Sequence, residues 1–192
     1  MTPKSGPLSC VGFRRVASES KHEDMTDVVV RPYRPRDHSA GRTLWVELAE
    51  RRSGLYGRSA GPDPGAGFED YLTRLDLSGI WVAENPDEGV IGLVGLLMQG
   101  TSGEVEPIVV AARHRGSGIG AALLKHVTGE ASKRSLERLT IRPESRNVDA
   151  LKSLHAAGFD LLSAVELSLD LRPSPSTVDD VEIELHGLRF RG

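Results

Sequence analysis

The 192-residue chain is predicted to fold as an α+β domain with a mixed, mostly antiparallel central sheet flanked by about four helices. Three observations carry that expectation. Strand-like runs come in quick succession between residues 80 and 110, which favours hairpin pairing over parallel crossovers. Helical runs lie on either side of them in the sequence, giving the coarse order β α α β β β α β α β. No internal repeat and no apolar stretch near the roughly twenty residues of a membrane span interrupts the pattern.

The elements follow in order. Residues 1–25 mix Ser, Pro, Gly and charges without a period and read as a flexible tail; Met25 is an alternative start to Met1. A domain is expected over 26–171 and a linker with an added strand over 172–192. VVVRPY is a strand at an edge or near its end, since Pro32 cannot donate to a ladder. Asp37 or Ser39 caps a helix from about Ala40 to Arg52. SGLYGRSAGPDPGAG is a long glycine/proline loop, of the kind that serves function, and FEDYLTRLDL is a short helix. GIWVAE and GVIGLVGLLM flank the hairpin turn NPDEG, and EVEPIVVA is the next strand. A helix over ALLKHVTGEASKR puts Leu123, Leu124, Val127 and Ala131 on one face. LERLTIRP is a strand, and RNVDALKSLHAAGF a helix closed by Gly158 in a left-handed conformation. LLSAVELSLDL gives one or two strands, and VEIELHGLRF a last one.

Composition excludes several classes. A net charge of -3 gives no general attraction to nucleic acid or anionic membrane. A single cysteine, Cys10, excludes an internal disulfide framework and a Cys-rich zinc site, and fits a reducing cytoplasm. No metal is expected.

The chemistry centres on RHRGSGIGAALL, residues 113–124. Three alternate glycines opening a helix suggest backbone close to phosphate. A Walker loop is excluded because Ala121, Ala122 and Leu123 follow where Lys and Ser/Thr are needed. Gly116, Gly118 and Ala121 satisfy a dinucleotide fingerprint, but the charged AARHR separates them from the strand, and the next strand lacks the ribose-binding acid. What remains is R-x-x-G-x-G, formed by Arg115, Gly118 and Gly120. With Val110 before it and Asn147, Ala150, Gly158 and Phe159 after it, the chain resembles the GNAT superfamily of acetyl-CoA-dependent N-acetyltransferases over about residues 28–171.

The resemblance implies a sheet whose fourth and fifth strands splay apart around acetyl-CoA. Ile108, Val109 and Val110 would hold the pantetheine arm by their backbone. Arg115, Gly116, Ser117, Gly118, Ile119, Gly120 and Ala121 would wrap the pyrophosphate, with Arg113 and His114 read as solvated turn residues. Asn147 would contact the cofactor or cap its helix. Strand alternation places Glu104, Glu106, Ile108 and Val110 on one face. Glu106 is the expected base, with Glu104 beside it, either acid alternatively serving as a surface residue or a contact for a cationic acceptor. Many relatives carry a tyrosine seven residues after the asparagine; here it is Leu154, and the neighbouring His155 is turned by about 100° on the helix. The acceptor, a small-molecule or peptide amine, would be met by the loop with Arg51, Arg52, Tyr56 and Arg58, unless those arginines are only a solvated helix end. The C-terminal strand suits a homodimer. A catalytically idle acyl-CoA-binding domain is the alternative function.

Overall fold

A computed structural model describes residues 27–169, 171 and 182–191. The expected tail with Cys10 and the linker at 172–181 lie outside the described residues. Strand β1 (Val29–Pro32) leads through a 3₁₀ turn into α1 (His38–Leu55), then α2 (Gly67–Arg74), β2 (Ile80–Asn85), β3 (Gly89–Gln99), β4 (Ser102–Val110), α3 (Ile119–Lys133), β5 (Arg138–Thr140) and α4 (Val148–Ala156). A separate hairpin of β6 (Glu182–Leu185) and β7 (Leu188–Arg191) closes the described chain. The sheet order is β1-β2-β3-β4-β5, antiparallel except for the parallel β4–β5 pair. Pro32 ends the edge strand β1 opposite Trp81, where its missing N–H costs no ladder bond. No helix among the described residues is long and apolar enough to cross a membrane.

Helices cover both faces of the sheet. A Cβ on Gly92 would meet Leu123 of α3, whereas one on Gly95 would meet the Tyr71 hydroxyl of α2; an odd separation along β3 puts the two on opposite faces. Leu123 and Val127 of α3 are fully buried, as are Phe68 and Tyr71 of α2. Burial of each such side chain contributes about 1.5–3 kcal/mol. Gly41 weakens α1 by about 1 kcal/mol, yet a Cβ there would lie 2.4 Å from the Phe68 ring. That glycine lets α1 and α2 close onto one aromatic cluster, in which Trp45 and Tyr71 rings lie 4.8 Å apart.

Two features of β4 shape the site. On one side Val94 pairs with Ile108 but Leu96 pairs with Val105, so Glu106 and Pro107 fall in a bulge. The bulge interrupts the strict alternation expected for Glu104, Glu106, Ile108 and Val110. On the other side β4 pairs with β5 only from Ser102 to Glu104, and the two strands part beyond it. One expectation fails: residues 160–169 form no strand. Sheet order ends at the three-residue β5, and the alternating apolar residues Val165, Leu167 and Leu169 are exposed.

Candidate functional site

The gap between β4 and β5 opens towards the turn that starts α3. There the backbone reverses at Gly116 (φ 81°) and Gly118 (φ 91°), conformations that L side chains rarely adopt. The Ser117 hydroxyl donates to the His114 carbonyl at 2.6 Å and steadies the turn. The first intrahelical bond runs from Ala122 N–H to Gly118 O. Among the described residues, the amides of Gly116, Gly118, Ile119, Gly120 and Ala121 donate to no protein acceptor. Five free donors at a helix start form an anion cradle. Gly120 is informative in a different way. A Cβ there would meet nothing nearer than Val110 Cγ2 at 3.9 Å, so neither packing nor a positive φ demands glycine at a place where it weakens the helix. The space beside it leaves room for close approach of a group from outside the chain. These features fit a pyrophosphate, and with it the phosphate end of coenzyme A.

Arg115 stands beside the cradle. Its Nε donates to the Val110 carbonyl at 3.1 Å, and its Nη2 lies 3.5 Å from Glu47. Burial, followed by the charge of Arg51, lowers its pKa from the usual guanidinium value, while Glu47 opposes the shift. The Val110 carbonyl is thus engaged by Arg115, whereas Ile108 and Val109 pair with β3 through Val94 and Leu93. Past Glu104 the β5-facing edge of β4 carries no strand partner.

Glu104 and Glu106 occupy different surroundings. Glu104 is buried; Arg142 donates to one of its oxygens and Gln99 to the other at 3.3 Å. Glu106 is half-buried, and the Arg74 guanidinium lies 3.7 Å from its carboxylate. Its backbone carbonyl accepts the Tyr71 hydroxyl at 2.8 Å. Burial, then the charge of Glu106, pushes the Tyr71 phenol well above its usual pKa, so it stays a donor.

Across the gap, Asn147 caps α4 by accepting from Ala150 N–H at 3.3 Å. The same oxygen accepts from Arg51 at 3.0 Å. Leu154 is buried in the core and His155 is exposed. Arg52 pairs with Glu144 at 2.9 Å, the Tyr56 hydroxyl donates to Glu144 at 3.1 Å, and Arg58 and Arg146 lie over the Tyr56 ring. Arg51 and Arg52, expected to be a solvated helix end or an acceptor surface, are thus tied to the β5–α4 connection, and Arg58 rests on Tyr56.

Sequence reasoning missed Glu47, Tyr71, Arg74, Gly95 and Arg142. Glu47 accepts the Ala112 N–H at 2.6 Å and so fastens α1 to the turn. Gly95 alone left a trace, since a glycine inside an apolar strand marks a bulge or a close approach.

The model of the acetyltransferase (GNAT) family matches residues 42–159. No curated protein sequence matches the chain. Among solved structures, an acetyltransferase of the GNAT family from Staphylococcus aureus superposes with a TM-score of 0.58 at 15% identity, covering 68% of this chain and 83% of that one. A protein described as a transcriptional regulator from Bacillus halodurans gives 0.58 at 19%, covering 74% and 99%. A ribosomal-protein-alanine N-acetyltransferase from Brucella melitensis gives 0.56 at 22%, covering 68% and 83%. At these identities the structures establish a common fold.

Proposed function

The chain belongs to the acetyltransferase (GNAT) family, and from that premise we propose that it is an N-acetyltransferase carrying an acetyl group from acetyl-CoA to a primary amine by direct transfer. The observation that carries the co-substrate is the cradle of free amides at residues 116–121, with a glycine at 120 that nothing inside the protein requires. Acetyl-CoA supplies an activated thioester. Arg115 and the amides of Gly116 to Ala121 hold its phosphates; the unpaired edge of β4 at Ile108 to Val110 receives its pantetheine arm; Asn147 faces it from α4.

Glu106 is the base of this reading. The acceptor arrives as an ammonium ion and must lose a proton before its nitrogen can attack. Glu106 takes that proton, directly or through water. The nitrogen then bonds to the acetyl carbon, the carbon–sulfur bond breaks, the thiolate leaves with the electron pair, and the second proton shed by the new amide nitrogen passes to the thiolate or to water. Leu154 has no proton to give, so the thiolate departs unassisted by that position. Glu104, buried and held by Arg142 and Gln99, shapes the strand.

The test is thiol release from acetyl-CoA across a panel of amines, with Glu106→Gln beside the wild type and acetyl-CoA binding followed by calorimetry. Glu106→Gln is expected to lower kcat by about 10²–10⁴ with binding retained. Unchanged turnover would remove Glu106 from the role. Binding without turnover on any amine would instead indicate an acyl-CoA-binding domain, a reading that the buried leucine at 154 favours.

A further inference from the structure

Resting on the acyl-CoA reading above, we propose that Arg51 is the second guanidinium of the phosphate site, completing from α1 what Arg115 begins at the glycine turn. Helix α1 brings Arg51 there through a chain of contacts. Glu47 accepts the Ala112 N–H at 2.6 Å, which pins the helix to the end of β4. Arg51 follows one turn later, on the same helix face, and reaches across to Asn147 at the start of α4, 3.0 Å away. It therefore lies between the two walls of the gap, with Arg115 and the free amides on one side and Asn147 on the other.

The charge arrangement points the same way. Arg51 and Arg115 are each about one-third exposed, so water screens their repulsion only partly. The effect of Arg51 on the titration of Arg115 agrees with this proximity. Glu47 is 3.5 Å from Arg115 and already accepts a backbone amide, so it neutralises the pair incompletely. The remaining ties of Arg51 are weak: a neutral amide oxygen at 3.0 Å, and Asp149, whose carboxylate is 3.9 Å away on a side chain 88% exposed. By contrast Arg52 has a 2.9 Å partner in Glu144. An anion entering between Arg51 and Arg115 gains two charge-assisted donors and relieves a like-charge contact. A tie between α1 and α4 draws little on the positive charge of Arg51, because its hydrogen bond is to a neutral oxygen and its one carboxylate partner is distant and solvated.

Two phosphate groups of coenzyme A present this chemistry, the pyrophosphate and the 3′-phosphate. Calorimetric titration of the full chain with coenzyme A, dephospho-coenzyme A and pantetheine separates them. The Arg51→Gln variant is expected to raise Kd for coenzyme A on the order of tenfold, to make binding less sensitive to salt, and to leave pantetheine binding unchanged. A loss shared with dephospho-coenzyme A assigns the pyrophosphate, and one confined to coenzyme A assigns the 3′-phosphate; either upholds the proposal. Arg51→Lys, which keeps the charge, should recover part of the affinity and guards against a fold defect in the glutamine variant. Unchanged affinity for coenzyme A, or equal weakening for pantetheine, overturns the proposal while leaving the acyl-CoA reading intact. Failure of the wild type to bind coenzyme A removes the premise itself.

Discussion

The tightest contact near the proposed base is also the most exacting to test. Gly95 faces α2, where a Cβ would stand 1.8 Å from the Tyr71 hydroxyl and 2.4 Å from the Glu106 carbonyl oxygen. Gly95→Ala must therefore push apart a hydroxyl and a carbonyl now 2.8 Å from each other. Overpacking costs about 1–3 kcal/mol, and stranding a buried polar pair adds about 1–3 kcal/mol, so a total of about 2–6 kcal/mol is expected. Tyr71→Phe leaves the carbonyl without its donor and costs about 1–3 kcal/mol. In the double variant the 1.8 Å contact no longer exists. The nearest ring atom is then Cζ at 3.1 Å, and only the carbonyl at 2.4 Å must yield.

The double variant should accordingly be more stable than the sum of the singles predicts, by about 1–2 kcal/mol. Urea unfolding of the four proteins measures that coupling. The same variants carry a functional readout, because the carbonyl belongs to Glu106. Displacing it by a fraction of an ångström should lower kcat for thiol release in both single variants, without a matching change in acetyl-CoA affinity. Additivity within about 0.5 kcal/mol, or full activity in Gly95→Ala, would refute the idea that the glycine exists to admit the hydroxyl.

Two further outcomes are expected. Asp37 is 5% exposed and accepts both arms of Arg31, at 2.7 and 2.9 Å, and the Arg34 N–H at 2.8 Å. Arg31, ahead of the opposing effect of burial, holds its carboxyl below the usual range. The stabilisation is thus complete above about pH 4 and is lost as pH falls through the lower folded value. Asp37→Asn should cost about 3 kcal/mol at neutral pH, with Glu84 left as the partner of Arg31, and should flatten the acid limb of a melting-temperature profile; an unchanged limb would contradict it. His126 has a buried Nε2 without a partner and meets Trp81 edge-on at 5.5 Å. Burial lowers its pKa, with Glu130 opposing and Lys133 adding to the shift. Its neutral form is therefore the one that folds, and its contribution weakens as pH drops below about 6.5. His126→Phe should raise the melting temperature more at pH 5 than at pH 8, and equal gains at both would show that the histidine does not titrate in this range.

Much of the architecture follows from local rules that act within a few residues. The glycine turn into α3, the Asn147 cap and the left-handed Gly158 (φ 95°) all depend on neighbours in sequence, so spacing reveals them. Pairing across long separations is another matter. Val165, Leu167 and Leu169 alternate as a strand should, yet a strand needs an edge to pair with, and residues 160–169 have found none in this structure. The same limit hides Glu47 and the partner of Arg51. On the sequence Glu47 and Arg51 are an ordinary acid and base one turn apart. Their meaning depends on Ala112 and Asn147, 65 and 96 residues away. Gly95 is intermediate: its oddity in an apolar strand is visible, but the ring that fills the space comes from another element.

The two acids of β4 show how far that structural context decides chemistry. Two residues apart on one strand, Glu104 and Glu106 are the same residue type, and the sequence prefers Glu106 only through the family resemblance. Glu104 sits where β4 still pairs with β5 through Thr140, buried and bonded at both oxygens. A proton arriving there would have to displace a charged donor from a carboxylate whose side chain is only 7% exposed, against 36% for Glu106. Glu106 sits two residues on, in the bulge, after the strands have parted. Its partner Arg74 is 3.7 Å away and more than half exposed, so water can take over the guanidinium at small cost. Tyr71 meanwhile holds the backbone of Glu106, so the carboxylate can change partners without the strand moving. Access, an exchangeable counter-charge and a fixed backbone are what a base needs to cycle between its two states. Glu106 combines all three and Glu104 does not, which supports placing the base at the bulge and giving the buried acid a supporting part.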